Sequence, residues 1–213
     1  MTFKHELVQL KELNTKSSDK GRFYETPEGQ SYPSVTTITG LLSKASILAW
    51  RQRVGDSKAD AITKAATSRG NKVHKMAEMY LRNEMASQIN LFEDPMPHIE
   101  NMFFQLTELL DNSIGIINAI EAPLYSDQLK VGGRVDVIAE WDGELAVIDF
   151  KTSSKPKKES WIDGYFMQSS AYALMFEELT GIKINKIVIA IAVENNRSQV
   201  FIKDSTEYLQ QFI

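Results

Sequence analysis

The stretch GGRVDVIAEWDGELAVIDFKTSSK, residues 132–155, constrains the fold more than any other part of the chain. Two apolar, β-branched runs flank Asp142-Gly143, a dipeptide that favours the two-residue type I′ turn of a β-hairpin. The pattern therefore predicts two antiparallel strands joined by a tight turn. Three charged residues lie inside these otherwise apolar runs, namely Asp136, Asp149 and Lys151.

A two-residue turn places residue 141 opposite residue 144 and, counting outward along both strands, Asp136 opposite Asp149. Lys151 shares a strand face with Asp149, because side chains two residues apart point the same way. Two adjacent, partly buried carboxylates repel each other and lose hydration, and a divalent cation removes that cost. Oxygen ligands suit Mg²⁺ or Mn²⁺, either of which activates a water molecule and neutralises charge on a phosphoryl group.

The alternative interpretation is an ordinary cross-strand ion pair between aspartate and lysine on a solvated face. The chain contains a second Asp-x-Lys sequence, Asp56-Ser57-Lys58, in a polar and helix-favouring stretch. The hairpin differs from it in its strand–turn–strand setting, its second aspartate and its apolar flanks. We therefore favour a cation site at the hairpin.

From residue 95 onward, periodicity predicts a helix, three strands, a helix, two strands and a final helix, which together form a mixed sheet with helices packed on it. Before residue 31 the sequence predicts only short, peripheral extended pieces. The β-branched segment SVTTITGLL, residues 34–42, predicts an extended stretch that becomes helical after Gly40. Ser43 is then the expected cap of a short helix that ends at Gly55, and Gly70 is a candidate break or close-approach point in the next helix.

Composition excludes several classes of chemistry. The absence of cysteine rules out disulfides, cysteine-ligated zinc, iron–sulfur clusters and a thiol nucleophile. A net charge of −4 argues only weakly against a nucleic-acid partner, since local basic patches matter more than the sum. No run of about 18 apolar residues and no apolar signal core is present, which predicts a cytoplasmic protein.

The spacing D-x12-D-x-K, formed by Asp136, Asp149 and Lys151, resembles the signature of the PD-(D/E)xK nuclease superfamily. GGRVD stands in place of a literal Pro-Asp, as is common in the RecB-like branch. The resemblance implies an α/β, restriction-endonuclease-like core, with a central mixed β-sheet flanked by helices. It also implies hydrolysis of DNA with Mg²⁺ or Mn²⁺. We expect residues 1–94 to form a mostly helical N-terminal lobe and residues 95–213 to form the core of one integrated domain.

Three further features match the RecB-like pattern: a helical Gly-x-x-x-His ending at His74, a Gln-x-x-x-Tyr from Gln168 to Tyr172, and Glu121 in an apolar strand. The resemblance implies that His74 lines the site, that Gln168 and Tyr172 brace it or touch DNA, and that Glu121 completes the acidic cluster. Each has an ordinary structural alternative: a core histidine, a core-facing aromatic stripe and an exposed strand glutamate.

The segments YPSVTTITGLL, LAWRQRVG and RGNKVHKMAEMYL resemble exonucleases that maintain mitochondrial genomes and their phage and bacterial relatives. The resemblance implies an exonuclease for single-stranded DNA with a free end. The catalytic candidates are Asp136, Asp149, Lys151, His74 and Glu121. The expected metal ligands are Asp136, Asp149, His74 and the backbone carbonyl of Phe150. The expected DNA-binding residues are Gln168, Tyr172, Arg69, Lys72, Arg134 and Lys155.

Two other functions are compatible with the sequence. One is a structure-specific or restriction-type endonuclease on the same fold, and the other is a non-catalytic subunit that binds DNA ends. The chain has no Gly-rich Lys-Ser/Thr loop and so carries no motor of its own, which leaves room for a separate helicase or a single-strand-binding partner. The compact chain, in which we find no transit peptide, favours a bacterial or viral protein acting in the cytoplasm.

Overall fold

The computed structural model describes residues 2–85 and 97–212. Within these ranges the chain forms five α-helices and nine strands, together with a 3₁₀ turn at Glu159–Trp161. The helices are α1 (Val35–Val54), α2 (Asp56–Leu81), α3 (Pro97–Ser113), α4 (Asp163–Thr180) and α5 (Ser205–Phe212). The strands are β1 (Lys4–His5), β2 (Asn14–Ser18), β3 (Gly21–Glu25), β4 (Ser31–Pro33), β5 (Ile114–Ser126), β6 (Val131–Trp141), β7 (Glu144–Ser153), β8 (Lys186–Val193) and β9 (Gln199–Asp204).

Six strands form a central mixed sheet in the order β1-β5-β6-β7-β8-β9. The pairs β5–β6, β6–β7 and β8–β9 are antiparallel, whereas β1–β5 and β7–β8 are parallel. Helix α4 connects the parallel strands β7 and β8, as a parallel crossover requires. The order of elements after residue 95 and the predicted mixed α/β architecture are thus confirmed.

The hairpin has the predicted register. Its ladder runs from Trp141 opposite Glu144 to Val137 opposite Ile148. Asp142 and Gly143 both have positive φ, 52° and 78°, as a type I′ turn requires.

Apolar layers cover both faces of the central sheet. The adjacent β7 residues Val147 and Ile148 point to opposite faces, and neither is exposed to solvent. On one face Ile148 belongs to a cluster with residues of α2 and α3, such as Val73 and Leu106. On the other face Val147 belongs to a cluster with residues of α4, such as Phe166. A carboxylate held on β6 or β7 therefore sits on a rigid, two-sided scaffold.

The prediction of an extended stretch at residues 34–42 is wrong, because helix α1 begins at Val35. The Ser34 side chain accepts a hydrogen bond from the Thr37 N–H at 3.0 Å, which caps the first turn. This cap and the complete burial of Val35 outweigh the weak helix propensity of the β-branched run. Ser43 consequently lies inside the helix rather than at its start, although the helix ends at Gly55 as predicted.

The N-terminal part contains strands as well as helices. Strands β2, β3 and β4 form a separate antiparallel sheet, and β1 pairs with β5 of the central sheet. Helix α2 passes through Gly70 without a break, and a methyl group there would meet Thr152 only at an ordinary 3.6 Å. The expected boundary between residues 94 and 95 lies outside the described residues. Among the helices of the described ranges, none has the length and apolarity needed to cross a bilayer.

Candidate active site

A cleft of about 600 Å³ opens where helix α2 lies across strands β5, β6 and β7. Helix α4, the N-terminal strand β3 and the start of helix α1 contribute its remaining walls. Seven of the site residues predicted from the sequence line it: His74, Glu121, Arg134, Asp136, Lys151, Gln168 and Tyr172. The hairpin, the histidine helix and the helix after the lysine strand therefore converge on one site.

Three carboxylates lie in a row across three neighbouring strands. The β5–β6 pairs Ile120–Val137 and Ala122–Val135 place Glu121 opposite Asp136. Extending the hairpin ladder by one residue places Asp149 on the other side of Asp136. Asp136 is thus the central member of the row, and its Oδ2 accepts a hydrogen bond of 2.8 Å from the Phe150 N–H.

His74, Glu121 and Asp136 form one side of the site. The His74 Nδ1 lies 3.5 Å from Asp136 Oδ2, and one ligand atom from each of the three residues lies within 4.8 Å of the other two. The orientation of His74 follows from its helix, because the neighbouring residues Val73 and Ala77 are completely buried against the sheet. The predicted inward-facing stripe of this helix therefore carries His74 at its edge.

Asp149, Lys151 and Gln168 form the other side of the site. Asp149 is 1% exposed, and its Oδ2 contacts the Lys151 ammonium. Its Oδ1 accepts a hydrogen bond of 3.0 Å from Gln168 Nε2, and the same amide lies 3.4 Å from the Tyr172 hydroxyl. The Lys151 ammonium is also 5.0 Å from the centre of the Tyr165 ring. These contacts hold the lysine in one position at the floor of the cleft.

Neighbouring charges set the ionisation of the aspartate–lysine group. Burial opposes ionisation of Asp136, but His74, Lys151 and the Phe150 N–H outweigh it and hold the pKa of Asp136 below its ordinary value. Burial and the nearby Asp136 raise the pKa of Asp149. Burial disfavours the charged form of Lys151, yet Asp149 and Asp136 together raise the pKa of its ammonium. Lys151 is therefore a fixed cation at neutral pH.

Glu121 is the least compensated member of the row. Burial, followed by repulsion from Asp136 and Glu78, raises its pKa to about 7. Its backbone has a positive φ of 49°, a left-handed conformation that is uncommon for a residue with a side chain. Residues held in such strained conformations cluster at functional sites.

The predicted DNA-binding cations are divided between the cleft and its surroundings. Arg134 lines the cleft, donates to the backbone carbonyl of Glu121 and pairs with Glu12 at 3.0 Å. Arg69 instead pairs with Glu194 at 3.4 Å, and its side chain is only 16% exposed. Neither Lys72 nor the exposed Lys155 is among the residues that line the cleft as described.

Sequence reasoning missed the wall formed by the first 36 residues, which includes Arg22 and Tyr24 of β3. The signal for it was the pair of glycines that opens the hairpin segment. A methyl group on Gly132 would lie 2.6 Å from the Tyr24 Cβ, and one on Gly133 would collide with the Tyr172 ring. These glycines allow β3 and α4 to approach β6 closely, which closes the cleft on two sides.

A sequence profile of the PD-(D/E)XK nuclease superfamily matches residues 97–205, about half of the chain. The chain belongs to the PD-(D/E)XK nuclease superfamily. The matched region includes the carboxylate row, Lys151 and Gln168, while His74 and the wall from β3 precede it.

This PD-(D/E)XK chain is also similar to curated vertebrate proteins. It is 34% identical over 116 residues to mitochondrial genome maintenance exonuclease 1 of Mus musculus. The matched region covers 51% of this chain and 32% of that protein. It is 26% identical over 133 residues to the Homo sapiens protein of the same name. This matched region covers 59% of this chain and 38% of that protein. The chain thus spans about a third of the length of these relatives.

Among solved structures, a putative exonuclease from Eubacterium rectale is similar over 68% of this chain and 63% of its own, at 15% identity and a TM-score of 0.42.

The donors of this PD-(D/E)XK site fit a divalent cation. Glu121 and Asp136 offer carboxylate oxygens, which suit Mg²⁺ or Mn²⁺, and His74 offers a ring nitrogen as a further ligand. Burial, followed by repulsion from Asp136 and Glu78, raises the pKa of Glu121, and a bound cation would favour its charged form. The predicted ligand Asp149 already contacts Lys151 and Gln168. The Phe150 carbonyl lies on the strand edge that faces Asp136, because its own N–H points there.

Proposed function

We propose that this protein hydrolyses phosphodiester bonds of single-stranded DNA from a free end, with the help of Mg²⁺ or Mn²⁺. The observation that carries the proposal is the row formed by Glu121, Asp136 and Asp149, with the Lys151 ammonium beside it in an open cleft. Such an arrangement is costly for stability and is explained by the chemistry it performs.

His74, Glu121 and Asp136 would hold the cation. Asp149 and the Phe150 carbonyl lie next to these ligands. When bound, the cation lowers the pKa of a water molecule and neutralises charge on the phosphate. The backbone N–H of Phe150 holds the Asp136 carboxylate in place, so that its remaining lone pairs face the cleft.

Lys151 orients the attacking water and stabilises the negative charge that develops on the phosphate oxygens. Asp149 and Gln168 keep its ammonium in position through the contacts described above. Water attacks the phosphorus, the bond to the 3′ oxygen breaks, and the products carry a 5′-phosphate and a 3′-hydroxyl. Because its pKa is raised, Lys151 acts as a charged group and not as a general base.

The preference for a free single-stranded end rests on two supports. The curated relatives are named exonucleases, although the similarity covers about a third of their length. The cleft is also walled by α2, α4 and the N-terminal strand β3, and walls on several sides favour one strand over a duplex.

The mechanism is tested with Lys151→Ala on end-labelled single-stranded DNA in Mg²⁺ or Mn²⁺. Loss of charge stabilisation at the phosphate predicts a fall in cleavage rate of about 100-fold or more. Lys58→Ala is the matched control, because Asp56 and Lys58 repeat the spacing on the exposed first turn of α2. Equal rates for wild type and Lys151→Ala would contradict the mechanism.

Three further measurements test the mechanism and separate the proposal from its alternatives. Lys151→Arg retains a cation beside Asp149, so a folded but slow variant would separate loss of positioning from loss of fold. A covalently closed single-stranded circle should resist cleavage, whereas cutting of the circle would identify an endonuclease. Metal-independent binding of DNA ends with no cleavage by the wild type would identify a non-catalytic subunit.

A further inference from the structure

A second groove, of about 560 Å³, adjoins the candidate active site. We call it the α1–α4 groove, since one wall is helix α1 and the other is the 3₁₀ turn with the first turns of α4. It shares two lining residues, Thr36 and Gln168, with the catalytic cleft, so the two depressions meet there. A linear polymer bound at the carboxylate row can therefore continue into this groove.

The wall formed by α1 carries small side chains. Apart from Leu42, the α1 residues that line the groove are threonines, serines and a glycine, which leave room for a bulky ligand and add hydroxyl groups that can donate or accept hydrogen bonds. The residues concerned are Thr36, Thr39, Gly40, Ser43 and Ser46.

The opposite wall carries an aromatic ring in an unusual position. Trp161 is 64% exposed, whereas Trp141 in the sheet is 2% exposed and Ile162, the next residue along the chain, is 2% exposed. Buried Ile162 anchors the backbone while the neighbouring indole stays in solvent at the groove. The Lys158 ammonium lies 5.3 Å from the centre of the Trp161 ring, so a cation accompanies the exposed aromatic surface.

The start of α4 is a weaker contact for a negatively charged strand than Trp161 is. No side chain caps its first turn, and the first two residues of the helix, Asp163 and Gly164, line the groove. The Asp163 carboxylate at the same end opposes the field of those groups. Stacking on Trp161, rather than phosphate contact, is therefore the main source of affinity.

Resting on the nuclease function proposed above, we propose that the DNA strand continues from the catalytic cleft into the α1–α4 groove, where Trp161 stacks on an unpaired base. A tryptophan face stacks on any base without reading its identity, which suits an enzyme that moves along a strand of arbitrary sequence. A base paired in a duplex does not offer its face to the indole. The groove thereby selects single strands over duplex.

The test is the affinity of a fluorescein-labelled oligothymidine for the metal-free protein, measured by anisotropy in EDTA. Stacking contributes about 1–3 kcal/mol per base, so Trp161→Ala should raise the Kd about 5- to 140-fold. Trp161→Phe retains an aromatic face and should lie between Trp161→Ala and the wild type. Phe104→Ala is the matched control: Phe104 is 63% exposed but lies on α3, whose helix packs against the other face of the sheet.

A minimal substrate separates this inference from the proposed function. Thymidine 5′-(p-nitrophenyl phosphate) fills only the catalytic cleft, so Trp161→Ala should hydrolyse it in Mn²⁺ at the wild-type rate. If the wild type cleaves DNA and Trp161→Ala binds oligothymidine as the wild type does, the groove inference is overturned and the nuclease function stands. Equal weakening by Phe104→Ala, or slower hydrolysis of the minimal substrate by Trp161→Ala, also overturns it. A wild type that neither binds nor cleaves DNA overturns both.

Discussion

Replacement of Glu121 by glutamine is expected to stabilise the metal-free protein at pH 8 and to weaken its binding of Mn²⁺. In the fold, burial and two neighbouring carboxylates raise the pKa of Glu121 to about 7 from an ordinary 4.5. The ionised carboxylate is therefore unfavourable in the native state above that pH. Glutamine keeps the size and the left-handed backbone of the residue but removes the charge.

The size of the effect follows from linkage between protonation and folding. Between pH 4.5 and 7, Glu121 is protonated in the native state but ionised in the unfolded state. The free energy of unfolding therefore falls as the pH rises through this range. At about 1.4 kcal/mol per pH unit, the full difference is about 3 kcal/mol. Solvent screening at a partly exposed side chain reduces the expected gain to about 2 kcal/mol. For a chain of this length, that raises the melting temperature by about 4–8 °C.

The assay is thermal unfolding of wild type and Glu121→Gln in EDTA at pH 4.5 and at pH 8, repeated with Mn²⁺. The variant should melt higher at pH 8 and much closer to the wild type at pH 4.5, where less charge remains to be removed. Mn²⁺ should stabilise the wild type more than the variant, because the variant has lost one ligand.

Glu78→Gln is a control of opposite sign in the same cleft. Burial disfavours the charge on Glu78, but hydrogen bonds from Lys75 and Arg82 outweigh it and lower the pKa of Glu78. Its contribution to stability is present above the ordinary pKa, so Glu78→Gln should melt lower than the wild type at pH 8. A Glu121→Gln protein that melts at or below the wild type at pH 8 without metal would refute the reasoning about Glu121.

Two further predictions concern the packing at glycine positions and one ion pair. Gly133→Ala places a methyl group against the Tyr172 ring and should lower the free energy of unfolding in urea by about 1–3 kcal/mol, whereas Gly40→Ala, in open space within a helix, should raise it by about 0.5–1 kcal/mol. The reverse order would contradict the close approach at β6. Arg69→Met and Glu194→Gln should each cost about 1 kcal/mol, and the double variant less than their sum, because the two residues form one ion pair. Weaker DNA binding in Arg69→Met alone would instead support a direct DNA contact.

Local sequence was sufficient for the hairpin and its chemistry. The Asp142-Gly143 turn sets the register of β6 and β7 by counting, which is why Asp136 and Asp149 could be paired in advance. Alternation and apolar runs likewise predicted the order of helices and strands after residue 95. Each of these inferences uses residues a few positions apart, where backbone geometry alone determines which side chains are neighbours.

The start of α1 shows where local propensity failed. The β-branched run after Ser34 favours a strand when it is considered alone. In the fold, Ser34 caps a helix and Val35 packs into the core, so side-chain capping and burial decide the conformation. Neither contribution can be read from the composition of the segment, because both depend on what lies next to it in space.

The position of Glu121 opposite Asp136 depended on tertiary structure. It follows from the pairing of β5 with β6, which contains register shifts between Ile114 and Ala119 that cannot be counted from a turn. The contacts of His74, Tyr24 and Trp161 with the cleft and groove likewise join segments far apart in the chain. Turn residues and side-chain periodicity determine which residues are neighbours only over a few positions. The contacts between distant segments result from how helices and strands pack together in the folded chain.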